Sequence, residues 1–385
     1  MILRIFRLES TFRHGLRPLP IRFFLKIISI KQIVDYIIIG QGLCGTLLSR
    51  ELLAAGKSVL VIDESKPNTA SKVASGVINP VTGRRIVRTW RIEELLPFAW
   101  QIYTAFGHEL SAEIIRHCNV LDFHASRQMA EAFDERLPEE TTYLSQLESP
   151  QEWKAFFNFH YSIGEIKPCL LVDLQTMLTK WRSILIEHGN LLDEVFCWND
   201  CEVSTTSVVY KNYQAQKIIC CEGVAGFDNP YFKNLPFSRM KGEALIVSIP
   251  GLPRNNIYKQ GLSIVPWKQD LFWIGSTYEW NFTDANPTPA WRKKVEQQLQ
   301  YWLELPFNIV DHIASERPAN MERRPFVGLH PLHPSVAILN GMGAKGCSLA
   351  PLFASQLANH LINKAPIYAD ADVSRFEKVL ARKMV

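Results

Sequence analysis

The sequence has no uninterrupted apolar run of about 18 residues, the length a helix needs to cross a bilayer, so nothing in it reads as an integral membrane span. It has no CxxC pair either. The eight cysteines, at 44, 118, 169, 197, 201, 220, 221 and 347, keep no regular spacing, which argues against a disulfide framework and suits a reducing compartment, the cytoplasm. Histidine clusters are missing too: the one close pair, His330 and His333, stands in HPLHP without a third partner, so no metal is expected. There is no internal repeat and no low-complexity tract. Charge excess is also absent from most of the chain. Of the formal net +4, residues 1–34 hold seven basic side chains (Arg4, Arg7, Arg13, Arg17, Arg22, Lys26, Lys31) against Glu9, so residues 35–385 carry a net −2. A near-neutral body offers no general argument for nucleic-acid binding. The basic head reads as an extension outside the fold. Transit-type targeting and contact with a membrane surface remain open for it, whereas its apolar stretches are too broken by Arg and Lys for a secretory signal.

What the chain does have is enough apolar material for sizeable cores, 47% of 385 residues, and a length that suggests two domains. The informative stretch begins at residues 33–39 (IVDYIII), a β-branched run that reads as a buried parallel strand. It leads into Gly40-Gln41-Gly42-Leu43-Cys44-Gly45, after which Leu47, Leu48, Leu52 and Leu53 recur at helical spacing up to Gly56. A second apolar strand, residues 58–62, ends in Asp63-Glu64. In such a strand, turn, helix, strand unit Gly40 permits the tight turn, Gly42 lets the backbone approach a pyrophosphate, and Gly45 lets helix and strand pack closely. The phosphates would lie on the helix N-terminus, and Asp63, 18 residues after Gly45, is placed for an adenosine ribose.

Residues 70–83 (ASKVASGVINPVTG) then form a small-residue, hydroxyl-rich segment where an NAD dehydrogenase would normally proceed to another helix. Here the chain resembles flavoproteins of the D-amino-acid oxidase and glycine oxidase superfamily, in which such a stretch passes beneath the cofactor. The far end is similar to the same family: Glu316-Arg317-Pro318, Arg324-Pro325-Phe326-Val327-Gly328, the loop 338–346 (ILNGMGAKG) and 347–351 (CSLAP). Between them, residues 217–223 (KIICCEG) resemble the strand returning to the flavin domain, and 239–243 (RMKGE) resemble the start of the substrate sheet. Residues 262–266 (LSIVP) and Gly275-Ser276-Thr277 resemble its paired strands.

The resemblance implies an α/β fold in which a Rossmann-like FAD-binding domain carries a discontinuous mixed α+β substrate domain, glycine-oxidase-like. The expected division is an extension at 1–32, an FAD domain at 33–90, 161–235 and 310–385, and a substrate domain at 91–160 and 236–309. It implies FAD as cofactor, held by Gly40, Gly42, Gly45, Asp63, Ser71, Ala74, Ser75, Gly76, Gly223, Gly341, Gly343, Lys345 and Gly346. It implies a hydride passed from the α-carbon of an amino acid or related secondary amine to flavin N5, with Arg317 as the fork for a substrate carboxylate and Lys345 as a charge beside the ring. Arg84, Arg85, Tyr258 and Tyr278 are further candidates for substrate contact. Ser263 departs from the family's pattern, which often has a tyrosine there. The loop GMGAKG and the spacing of Arg-Pro and Arg-Arg-Pro are also similar to the flavin domain that acts on a carboxymethylamino group of a modified tRNA wobble uridine. The same motifs are compatible with a 2-hydroxy-acid dehydrogenase and with a non-catalytic flavin-bearing subunit.

Overall fold

The computed structural model describes residues 31–83 and 86–382. The expectations for residues 1–30, Arg84 and Arg85 lie outside the described residues. The apolar run around residue 36 becomes the strand Gln32–Ile39, set between two parallel neighbours, Val59–Ile62 and Tyr213–Cys220. Leu191–Leu192 continues the sheet on one side, and on the other Val336–Asn340 runs parallel beside Tyr213–Cys220, with Phe326–Leu329 antiparallel to it. Side chains alternate between the two faces of each strand, so a strand buried on both must be apolar throughout. Ile38, Val61, Ile219 and Leu339 meet one layer, whereas Ile37, Ile39, Leu60, Ile218 and Ile338 meet the other.

The first layer is helical. Leu43–Ala54 and Gly346–Asn363 pack against each other, and Ile92–Glu109 packs on the second of them. Helix Ile92–Glu109 falls within the block 91–160 expected to lie in the substrate domain, but its apolar stripe, Leu95, Ala99, Tyr103 and Phe106, is buried in the core of the parallel sheet. The Tyr103 hydroxyl donates to the Cys347 carbonyl at 3.0 Å. An amphipathic stripe states that a face is buried and not which element covers it.

The second sheet has eight strands, in the order Asn308–Asn320, Phe237–Ser248, Leu271–Gly275, Leu262–Pro266, Asn256–Gln260, Asn119–Phe123, Ile163–Ile166, Leu144–Gln146. It is antiparallel apart from one parallel pair in its middle, Asn256–Gln260 with Asn119–Phe123. Two boundaries therefore move. Ile163–Ile166 belongs to this sheet and not to the first domain, because it pairs on both edges within it. Asn308–Asn320 also belongs here along its whole length, pairing with Phe237–Ser248 from Asn308 to Asn320, so the change of domain comes after residue 320 and not at 310. Helix Pro289–Trp302 covers the outer face of the sheet through Val295, Leu299 and Trp302, packed on Phe123, Phe157 and Tyr258. The inner face, with Ala244, Ile246, Val265 and Trp273, turns to the first domain, and the Trp273 indole donates to the Val73 carbonyl at 2.9 Å.

The turn that starts the first helix is the tightest point in the fold. Gly40 has φ +94°, and a Cβ on Gly45 would stand 1.8 Å from the Gly40 carbonyl oxygen. Gly45→Ala must therefore push helix Leu43–Ala54 off its strand. Overpacking of this kind costs about 1–3 kcal/mol, occasionally more, so the variant is expected to melt well below the wild type and to lose FAD. A thermal melt read by circular dichroism and by flavin release checks it.

Candidate functional site

Both long helices of the first domain begin at the sheet's carboxyl edge, and in neither does the N-cap residue, Gly42 or Lys345, satisfy the free N–H groups with its side chain. The two N-termini are neighbours: a Cβ on Gly346 would lie 3.2 Å from the Leu43 side chain. Two helix N-termini side by side, neither capped by its own N-cap side chain, present N–H donors and the positive ends of two dipoles to one place, which suits an anionic group and an electron-rich ring. The Ser71 hydroxyl accepts from Leu43 N–H at 2.9 Å, which brings the segment of Ser71, Ala74, Ser75 and Gly76 to this turn. The short helix Ala70–Val73 at its start also packs against Asn308–Asn320, the strand that carries Arg317. Gly341 and Gly343 take positive φ in the second loop, and a Cβ on Gly343 would lie 3.7 Å from the Ala319 side chain on that same strand. Gly223 joins through Asn340, whose amide donates to its carbonyl at 2.8 Å.

Asp63 sits at the end of Val59–Ile62 with its carboxylate engaged. It accepts from Gln41 N–H, inside the glycine turn, at 2.8 Å, from Ser65 N–H at 2.8 Å, and from Arg182 at 2.8 Å. Arg182 also pairs with Asp193 at 2.9 Å. Arg182 is a residue that sequence reasoning missed, since nothing near it in the chain points back to Asp63.

Arg317 is the best-defined group of the site. Its guanidinium donates to the Thr277 carbonyl at 3.0 Å and to the Ser276 hydroxyl at 2.8 Å, and lies 5.0 Å from the centre of the Tyr278 ring. Both acceptors are neutral, and among the described residues no carboxylate pairs with it. The two acids nearest in sequence are occupied elsewhere: Glu316 faces Arg239 at 3.6 Å and Glu322 pairs with Arg375 at 3.2 Å. Burial pushes the Arg317 guanidinium below its ordinary value, as it does for a cation left without a counter-ion.

Space for that guanidinium comes from Gly242, where a Cβ would lie 2.0 Å from Arg317 Nη2. The flanking residues of RMKGE face the other side of the sheet. There Glu243 accepts from Thr288 N–H at 2.7 Å and the Thr288 hydroxyl at 2.6 Å, with Lys241 Nζ at 3.2 Å and His312 Nε2 at 2.9 Å. The Glu243 N–H donates to the Thr277 hydroxyl at 2.9 Å, which pins the segment that aims Arg317. The spacing Lys-Gly-Glu is the signal that could have shown Gly242, with a gap on one face and an ion cluster on the other.

Tyr278, mostly exposed, stands beside Arg317. Tyr258 does not. It is fully buried on the outer face, donates to the Pro253 carbonyl at 2.8 Å and packs with Trp153 and Phe157, so it belongs to the core beneath helix Pro289–Trp302. Alternation along Asn256–Gln260 decides this, one residue of register separating the two faces. Lys345 lies in the second loop, and desolvation with the nearby Arg323 and Arg324 charges holds its ammonium below the ordinary value. Burial pushes the Cys44 and Cys347 thiols up to about 12, so both are protonated, weak nucleophiles at neutral pH.

Glu222, in the turn before Gly223, is raised to about 7 by burial, against a hydrogen bond from the Asn229 amide at 2.6 Å. Its folded value lies above the unfolded one, so the native state binds this proton more tightly. Stability is then full below the unfolded pKa, about 4.3, and falls as pH rises through about 7. Glu222→Gln, which keeps an acceptor for Asn229, is expected to match the wild type's melting temperature near the unfolded pKa and to exceed it above pH 7. Thermal melts across that range check this, and a pH-independent difference would reject it. Asp63→Ala removes a charge-assisted acceptor worth about 1.5–3 kcal/mol per bond, so FAD affinity is expected to fall about tenfold or more. Titration of apoprotein by flavin fluorescence quenching measures it, and an unchanged dissociation constant would put the ribose elsewhere.

These features together fit a dinucleotide, which the first glycine turn with Ser71 and Asp63 and the second glycine loop would hold. A model of the family described as DAO, FAD dependent oxidoreductase, matches residues 35–360. The chain is similar to a glycine oxidase of Pseudomonas aeruginosa, 23% identical over 357 residues that cover 86% of this chain and 95% of that protein. Among solved structures it is similar to the glycine oxidase of Geobacillus kaustophilus, with a TM-score of 0.73 at 17% identity over 92% of this chain and 100% of that one. It is likewise similar to iminodiacetate oxidase from Chelativorans sp. BNC1, with a TM-score of 0.70 at 18% identity over 87% and 97%.

Proposed function

Because the chain belongs to the DAO family of FAD-dependent oxidoreductases, we propose that it oxidises the carbon–nitrogen bond of a small amino acid or secondary amine whose carboxylate is received by Arg317. The observation that carries this reading is a half-buried guanidinium with neutral acceptors on one side and no carboxylate partner among the described residues. Leaving a buried charge unpaired is costly, and a ligand carboxylate is the group that would remove the cost. The relatives named glycine oxidase and iminodiacetate oxidase support a carboxylated amine as the substrate class.

FAD, when bound, supplies the acceptor for the hydride of the α-carbon; the nitrogen loses a proton, and water hydrolyses the resulting imine to a carbonyl compound and an amine. The chain's own part is orientation. Ser276 and Thr277 use two N–H groups of Arg317 and so fix the plane of the fork, leaving N–H groups for a two-point hold on a carboxylate. Such a hold would orient the α-carbon toward a bound flavin, and positioning of this kind is worth more here than a side-chain base. The N-terminus of Gly346–Asn363 and the Lys345 ammonium would favour the negative charge of a reduced flavin held beside them. Tyr278 flanks the fork and shields it from water on one side.

Arg317→Lys replaces a fork by a point charge and Arg317→Met removes the charge, so the rate of anaerobic flavin reduction should fall in that order. The loss for Met is expected to be about 100-fold or more, with the flavin spectrum unchanged. A simple carboxylate such as benzoate should stop perturbing the flavin. Wild-type reduction by Arg317→Met would reject the assignment.

A further inference from the structure

Arginines in most of this protein find carboxylates. Arg88 pairs with Glu140, Arg91 with Glu94, Arg182 with Asp63, and Arg375 with Glu322. Arg317, Arg323 and Arg324 lie within eight positions of one another, and among the described residues none of the three has an acidic partner. The one acid in that turn, Glu322, is drawn away by Arg375.

Arg324 is held in place. Its N–H donates to Asn320 Oδ1 at 3.2 Å, its carbonyl accepts from Asn320 Nδ2 at 2.7 Å, and its guanidinium lies 4.2 Å from the centre of the Trp90 ring. A guanidinium stacked on an aromatic face keeps its in-plane N–H edge for a carboxylate, and here only Nη1 is engaged, on the Arg323 carbonyl at 3.1 Å. The same Asn320 amide donates to the Gly341 carbonyl at 2.7 Å, tying this turn to the second glycine loop. There Lys345 feels the charges of both arginines. Asn320 ends the strand that carries Arg317, about 10 Å along the backbone beyond it, so the turn that holds Arg324 starts where that strand stops.

We propose that Arg323 and Arg324 form a second anion subsite, so that the substrate is a dicarboxylic amine with one carboxylate on Arg317 and a distal one on this pair. The inference rests on the reading of Arg317 as the carboxylate fork and names the substrate class of that site. No further co-reactant is needed: the carbon–hydrogen bond broken, the hydride accepted by FAD, the nitrogen proton lost and the water consumed are those of the reaction already given. Specificity follows from the pairing, since a monoacid leaves Arg324 without a counter-ion whereas a diacid satisfies both sites.

The test uses FAD-loaded full-length protein and non-oxidisable probes. The dicarboxylates malonate, succinate and glutarate are titrated against acetate, propionate and butyrate, binding being read by perturbation of the flavin spectrum and by calorimetry. One dicarboxylate is expected to bind about tenfold or more tighter than its monoacid counterpart, the margin of one charge-assisted contact. Arg324→Met should erase that margin while leaving monoacid binding within about twofold, and Arg324→Lys should restore part of it. Arg317→Met should weaken both classes. Equal binding of mono- and dicarboxylates to the wild type, or an equal loss of both in Arg324→Met, would overturn the subsite with the Arg317 fork intact. If Arg317→Met changed neither class, the fork itself would fall, whereas a dicarboxylate margin that depends on Arg324 would still support the pair.

Discussion

The structure depends on one close approach, that of two helix N-termini at the carboxyl edge of the parallel sheet. Gly45 lets the first helix lie on the Gly40 carbonyl, and Gly346 starts the second against Leu43. A side chain at Gly45 would push the first helix off its strand, and the paired N–H groups would no longer converge. The rest of the first domain serves this contact. The strands, apolar toward their carboxyl ends, hold the edge, and Ser71, Asp63 and Asn340 tie the neighbouring turns to it.

The second domain answers with one strand pair. On Phe237–Ser248 the sequence Lys241-Gly242-Glu243 uses both faces of the sheet at once: a missing Cβ on the inner face admits the Arg317 guanidinium, and a buried ion cluster on the outer face anchors the segment that aims it. Around Arg317 the protein sets its own carboxylates on the outer face and supplies neutral acceptors on the inner one. This division of charge leaves Arg317 attractive to an outside carboxylate, because a buried cation already paired would gain little from a ligand.

Several parts of this are legible in the chain without the fold. The first strand, its glycine turn and helix, and the second glycine loop can be read because their signals are local: a β-branched run, glycines at fixed offsets, a helical repeat of leucines. Arg317 stands out by its motif, and its bonds to Ser276 and Thr277 bring together two stretches that carry the same resemblance. Tyr258 misleads because one residue of register separates the two faces of Asn256–Gln260. Helix Ile92–Glu109 falls in a different layer from the one expected because its stripe fits any apolar surface. Arg182, Trp90 and Asn320 give no local signal, since each acts on a partner outside its own stretch of sequence pattern.

By itself the sequence determined the elements whose energetics are settled within a few residues. These are the strand buried on both faces, the turn that only glycine can make, and the helix start with free N–H groups, hence a dinucleotide site, to which the resemblance carried by the motifs adds FAD and the broad class of reaction. Tertiary structure alone decided which charges end without partners. Whether an arginine is a structural ion pair or a receptor for a ligand depends on whether any of the chain's own carboxylates comes within reach, and that is a property of chain packing over tens to hundreds of positions. Glu322, two residues from Arg324 and bound instead to Arg375 from far along the chain, is the clearest instance.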